Sequence, residues 1–242
     1  MKWRNVFRTA AFAAAGSALP AAAEPPGPGG VPAGDAGALM GRVAAVYARA
    51  TRGTIGVRSS SVLTIEAPLF HKRIARDSWF VFADGVLVRS DTPLDPRRPP
   101  LHDPYDPRYV GEYRFTFAPC PACAPGAVAV TYDARAHDRA HASGTLTVDE
   151  ATARIVRDTE RPYALPWPTR EGALEATWGG DETGWFPLTI AGDFVGRIGP
   201  FTGRAHYAQT LSHYARFADA EAAVAALDGR AGAPASAPTD AP

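Results

Sequence analysis

The sequence predicts an α+β fold: one large curved antiparallel sheet, a half-open β-barrel, with one or two covering helices. Three observations carry this. A single helical period opens the folded part of the chain. Apolar residues then recur with period two in about nine to eleven runs. Hairpin-length turns separate almost all of those runs, and no strand–helix–strand alternation appears, which argues against a parallel sheet. A sheet of that many strands must curl. Curled around a helix, it encloses a cleft.

In "GALMGRVAAVYARATRG", Leu39, Val43, Val46, Tyr47 and Ala50 fall on one helical face, with Asp35 placed to cap the start and Gly53 to end it. The period then changes. Leu63 and Ile65 alternate with Val62, Thr64 and Glu66. "DSWFVFADGVLVRSD" is two apolar runs about Asp84-Gly85, a strong hairpin dipeptide. Tyr113, Phe115 and Phe117 oppose Glu112, Arg114 and Thr116, and the next run sets Val128, Val130 and Tyr132 on one side. "GTLTVDEATARIVRDT" is strand, polar turn, strand, and the pattern repeats around Gly179-Gly180-Asp181. A long strand through "RAHYAQTLSHYARF" and a short Ala-rich helix from Asp219 to Leu227 close the fold. One stretch breaks the rhythm. Asp91–Val110 holds six prolines and three Asp-Pro steps. Proline lacks the ladder donor, so this is a loop, either a surface insert or a lid over the cleft.

The ends differ in composition. Lys2, Arg4 and Arg8, the small apolar run Thr9–Gly16 and the Ala21-Ala22-Ala23 step read as a signal peptide over 1–23. Residues 24–37 are a Pro/Gly/Ala linker expected to be disordered, 38–227 the folded domain, and 228–242 a second disordered tail. The expected compartment is the periplasm, with the chain soluble after signal cleavage. Removing the three basic leader residues takes the net charge from 25 − 25 = 0 to 22 − 25 = −3. That balance excludes a phosphate-neutralising surface, so no nucleic-acid partner is expected.

The search for chemistry returns little. No nucleophile elbow, zincin helix, P-loop or dinucleotide motif is present, no catalytic residue is assigned, and no enzyme is expected. The best metal candidate is His137, Asp138 and His141. Their H-x-x-x-H spacing chelates only on a helix, and an extended segment would hold the imidazoles roughly 13 Å apart. The polar context favours a solvated hairpin loop, so no metal and no cofactor are assigned. Cys120 and Cys123 are the only cysteines. No helix follows them to activate a thiol and no third cysteine completes a zinc site, so a disulfide stapling a hairpin tip is the favoured reading over redox or metal roles.

Aromatic surface is plentiful. Trp79, Phe80, Val81 and Phe82 leave neither face of their strand polar, so both faces must be covered. Core plus a covering helix would do this; so would a hydrophobic ligand cleft. These four residues, with Tyr113, Phe115 and Phe117, are the candidates for lining an apolar cavity, one of the faces being plain core.

The order of motifs resembles the LolA-like group of periplasmic lipoprotein carriers and outer-membrane lipoprotein-sorting proteins, a group that also includes regulators of envelope stress. "ARATRGTIGVRSSSVLTIEAP" looks like its helix, first strand and Ala-Pro step, and "DSWFVFADG" like the tryptophan strand and turn that follow. "GTLTVDEATARIVRDTERPYALP", "WFPLTI" and "YARF" are similar to its later strands. The Pro-rich insert and the C-x-x-C depart from the pattern, and no position matches the carriers' polar lid-holding residue. The resemblance implies a half-barrel with a helical lid and a cavity for acyl chains, binding rather than catalysing. The expected function is therefore a carrier sheltering the acyl chains of a lipid or lipoprotein, with a membrane-protein donor or acceptor. The alternative is a periplasmic protein-interaction or stress-regulatory module without lipid cargo.

Overall fold

The computed structural model describes residues 35–68, 70–92, 101–181 and 183–229. The predicted leader, linker residues 24–34, residues 93–100 of the Pro-rich loop and the tail from 230 onward lie outside the described residues. Helix α1 spans Ala36–Ala50. Ten strands follow: β1 (Thr54–Ala67), β2 (Phe70–Ala83), β3 (Val86–Ser90), β4 (Tyr113–Ala118), β5 (Ala127–Ala134), β6 (Ala142–Asp149), β7 (Arg154–Pro162), β8 (Thr169–Asp181), β9 (Gly184–Ile198) and β10 (Phe201–Phe217), then helix α2 (Ala220–Gly229). All ten lie in one antiparallel sheet in the order β3-β2-β1-β10-β9-β8-β7-β6-β5-β4. The sheet is curved and open, with β3 and β4 as its two edges. No helix among the described residues is long and apolar enough to cross a membrane.

The helix starts where its cap dictates. Asp35 is extended, and its side chain accepts a hydrogen bond from Gly37 N at 2.8 Å, satisfying one of the unpaired donors of the first turn. Leu39 and Val43 are buried along one stripe, as the spacing predicts, with Met40 buried beside them. After α1 the chain turns at Gly53, whose φ of 78° suits glycine. At the β2–β3 hairpin Asp84 and Gly85 both have positive φ, 49° and 77°, the conformation the Asp-Gly dipeptide predicts.

The two helices lie on opposite faces. α1 packs against β4, β7 and β9, strands far apart in the sheet, so the sheet wraps around it. Its apolar stripe joins a core drawn from nearly every strand, including Phe80, Tyr132, Leu146, Trp178 and Tyr207. α2 covers the other face, over β1, β2 and β10, where Ala223 and Leu227 meet Trp79 and Val81. Trp79 Nε1 donates to Asp228 Oδ1 at 2.9 Å, and Arg58 donates to Leu227 O. The run Trp79–Phe82 is therefore apolar on both faces because one face meets α2 and the other joins the core that α1 also enters.

β2 begins earlier than its sequence suggests. Residues 70–77, "FHKRIARD", are exposed throughout yet pair with β1 residue by residue from Ala67↔Phe70 onward. Period-two alternation marks a strand only where one face is buried, and this half of β2 has none.

Cys120 and Cys123 form a disulfide in the β4–β5 connection, as expected. Cys123 N bonds to Cys120 O at 3.1 Å, so the turn is closed by backbone as well as by sulfur. Closing so short a loop removes little chain entropy. The double variant C120S/C123S is expected to melt within about 2 °C of the wild type in a calorimetric scan, and a loss of about 10 °C or more would contradict the staple reading.

Candidate functional site: the face beneath the first helix

Of the residues the sequence singles out for an apolar cavity, the structure places Phe80 and Tyr113 deep, and Phe82, Phe115 and Phe117 half-buried, in the core beneath α1. Trp79 and Val81 point the other way, into the α2 layer. The candidate set is thus split between two faces by strand alternation, and the α1 side holds the larger aromatic surface.

That side is closed by two pieces of chain. One is α1. The other is the described part of the Pro-rich loop, which delivers Tyr105, only 6% exposed, into the interior. Tyr105 sits edge-on to Tyr47 of α1 at 5.1 Å and to Trp178 of β8 at 5.3 Å. The loop holds this position through Asp106. Its buried carboxylate accepts from Arg108 N at 2.8 Å and from Arg108 Nε at 2.9 and 3.0 Å, while its carbonyl accepts from Tyr109 N and Val110 N. An aspartate that folds its own following backbone is what an Asp-Pro step supplies at a turn. Residues 101–110 thus pack onto this face through Tyr105.

Beside α1 runs a narrow crevice lined by Val43, Val46, Tyr47, Ile155, Trp178 and Trp185. It leaves about 10 Å³ for the centre of a water-sized sphere, space for about one water. With α1 seated, this crevice is too small for an acyl chain. The polar ties of α1 to the sheet are uneven. At its C-terminal end Arg216 donates to Ala50 O at 2.8 Å and to Arg52 O at 2.6 Å, a cation on the negative end of the helix, and Gly53 N donates to Asp84 Oδ1 at 2.8 Å. Midway, Arg42 Nη2 donates to Glu150 O at 3.1 Å. The cap at Asp35 is internal to the helix.

Two polar atoms inside the face lack a partner among the described residues: Asp158 Oδ2 and Trp178 Nε1. Asp158 is fully buried on β7, and its other oxygen accepts from Tyr132 Oη at 3.1 Å. Burial pushes this carboxyl well above the usual range, with Asp103 adding to the effect. From about pH 4 upward the unfolded chain ionises this group before the folded chain does. Unfolding then releases a proton, and the stability Asp158 contributes, full below pH 4, declines as pH rises toward its folded value. Asp158→Asn keeps the acceptor for Tyr132 and removes the titration. Its denaturation midpoint is expected to fall less than that of the wild type between pH 4.5 and about 7. Identical slopes for the two proteins would show that Asp158 is ionised in the fold.

A second cluster lies at the rim, where the Pro-rich loop meets the turn before β6. His102 Nδ1 donates to Glu112 Oε2 at 2.7 Å, His141 Nε2 to the same oxygen at 2.9 Å, and His141 Nδ1 to Asp138 Oδ1 at 2.7 Å. Burial disfavours the imidazolium of His141, but Asp138 and Glu112 outweigh it and raise its pKa. Burial likewise works against charge on Glu112, and the bonds from His102 and His141 outweigh that and hold it below the usual carboxylate range. His137 does not join them. It stacks on Tyr163 at 4.1 Å, exposed, with Asp133 at 3.9 Å. The H-x-x-x-H segment is a turn, as its polar context predicts, with His137 exposed, but His141 is buried and finds partners that sequence proximity could not supply.

No known protein-family profile and no curated protein matches the chain. Solved structures similar to it include a LolA superfamily protein from Nitrosomonas europaea, 9% identical, with 76% of this chain and 94% of that chain covered at a TM-score of 0.41. A DUF1329 family protein from Desulfovibrio piger is 10% identical over 76% of this chain and 94% of that one, also at 0.41. MucB is 10% identical over 73% and 93%, at 0.29, and it also appears in a complex of Pseudomonas aeruginosa MucA and MucB. The group the sequence resembles is thus also among those whose solved members this chain is similar to. Identities and scores this low say nothing about what the chain binds.

Proposed function

We propose that the protein is a carrier or binding protein for acyl chains of a lipid or lipoprotein, and that the chains occupy the face beneath α1 once that helix swings away. One observation carries this: an aromatic-rich concave face is covered by α1, beside the loop that carries Tyr105, and the polar ties of α1 concentrate at its C-terminal end. The helix fills the place an acyl chain would take. Undocking it exposes Leu39, Met40 and Val43, at a cost of about 6 kcal/mol. About ten methylenes buried in exchange return roughly 8 kcal/mol. The two terms are close, which is the condition for a cover that opens for cargo and closes without it. Trp178 Nε1 and Asp158 Oδ2, buried and without a partner among the described residues, are polar atoms on that face that a carbonyl or headgroup could meet.

The tight closure also favours a second reading, in which the same face or its cover meets a protein partner and no lipid is held. Mass spectrometry of lipids extracted from protein purified under native conditions, without detergent, separates the two. The carrier reading expects a stoichiometric acyl species that is absent from an unrelated exported protein prepared in parallel. Delipidated protein that retains a specific membrane-protein partner and shows no acyl species would favour the second.

A further inference from the structure

We propose that His102, Glu112 and His141 form a binding site for a divalent transition-metal ion of the zinc class, one that clips the Pro-rich loop to the turn before β6. His102 Nδ1, His141 Nε2 and an oxygen of Glu112 lie within 4.8 Å of one another. Two imidazole nitrogens and one carboxylate oxygen are a zinc-type donor set; calcium and magnesium call for oxygens. The three residues come from positions 102, 112 and 141, so the site exists only in the folded chain.

The ligands are held for the task. Asp138 accepts the Nδ1 proton of His141, which leaves Nε2 as the nitrogen facing the cluster, the carboxylate–histidine–metal arrangement that fixes a ligand's tautomer. Asp138 is fixed in turn by Ala140 N at 2.8 Å. The backbones are cross-braced: His102 N donates to Ala140 O at 2.7 Å, Arg135 N to Glu112 O at 2.8 Å, and Tyr163 N to His141 O at 3.2 Å. Tyr113 Oη donates to His102 O, and the His102 ring stacks on Tyr109 at 3.9 Å. Second contacts of this kind are what keep a metal site in register. Glu112 Oε2 now stands where both imidazoles point. With ligand bonds of about 2.0–2.2 Å, an ion would take that central position and the carboxylate would swing back by roughly an ångström. The Glu112 side chain is 42% exposed and has room to do so. His102 and Glu112 both reach solvent, so a water or a fourth ligand could complete a tetrahedron. The site lies outside the acyl face and its test is independent of that proposal.

The test is equilibrium dialysis of the purified chain against Zn²⁺, with Co²⁺ as a spectroscopic stand-in. The expected result is one Zn²⁺ per chain, not displaced by excess Ca²⁺ or Mg²⁺, and a visible Co²⁺ absorption of tetrahedral intensity. Asp138→Asn should weaken binding about 10–100-fold. His102→Ala and Glu112→Gln should each abolish the Co²⁺ spectrum. Both side chains are partly exposed, and a circular dichroism spectrum checks that each variant is folded. Saturating Zn²⁺, at about a hundredfold over its Kd, should raise the wild-type Tm by about 5 °C and leave His102→Ala unmoved. Failure of the wild type to bind Zn²⁺ at about 0.1 mM, or wild-type affinity in folded His102→Ala and Glu112→Gln, would overturn the proposal. In that case the cluster is a hydrogen-bonded rim contact alone.

Discussion

Met40→Asp is expected to tighten the binding of a long-chain acyl probe by tenfold or more, although it damages the core. Met40 is fully buried at the centre of the α1 stripe. A carboxylate there cannot stay against the sheet unpaired, so the helix undocks. If α1 competes with cargo for one face, the observed affinity is the intrinsic affinity multiplied by the open fraction. Undocking takes that fraction toward one, and an opening cost of about 6 kcal/mol in the wild type sets a ceiling of about 10,000-fold on the gain, of which tenfold is a small part. Met40→Ala should move in the same direction by less, since it removes packing without adding charge. The check is a fluorescence titration paired with far-ultraviolet circular dichroism, in which the strand signal persists. Unchanged or weaker binding in both folded variants would mean that α1 is a fixed part of the core.

Phe80→Ala and Trp79→Ala test which face of the sheet matters. The two side chains are neighbours in β2 and are almost fully buried, Phe80 at 1% and Trp79 at 8% exposure, on opposite faces. Each truncation should cost about 3–5 kcal/mol and lower Tm by about 10 °C. Their effects on binding should part. Trp79→Ala loosens α2, with loss of the bond to Asp228, and leaves acyl-probe affinity within about twofold of the wild type. Phe80→Ala changes the floor beneath α1 and should shift affinity about tenfold. Equal effects from both would indicate that binding follows global stability and not one face.

The sequence made the fold legible because its signals are local. The 3.6-residue period of Leu39, Val43 and Val46, the Asp35 cap and the Asp84-Gly85 hairpin each act within a few residues, and each holds in three dimensions. What was hidden is non-local or breaks the amphipathic rule. β2 residues 70–77 carry no alternation because neither face is buried. Asp158 and Glu160 look like surface residues by type, yet they face the core, and a register shift at Thr147/Val148 in the β6–β7 ladder obscures their phase. Tyr105 looked like loop content, whereas it caps the aromatic face. His102 and Glu112 sit ten residues apart and far from His141 in sequence, so spacing gave no hint of the cluster. The apolar run Trp79–Phe82 did announce two covered faces; that one cover is α2 depended on where the chain's last ten described residues pack.

The most direct test of the acyl-binding proposal is a titration of delipidated protein with a fluorescent sixteen-carbon fatty acid, read by energy transfer from Trp178 and Trp185 beside the crevice. Binding through the face beneath α1 predicts one saturable site, tighter in Met40→Asp and unchanged in Trp79→Ala. Absence of saturable transfer in the wild type and in Met40→Asp alike would contradict it.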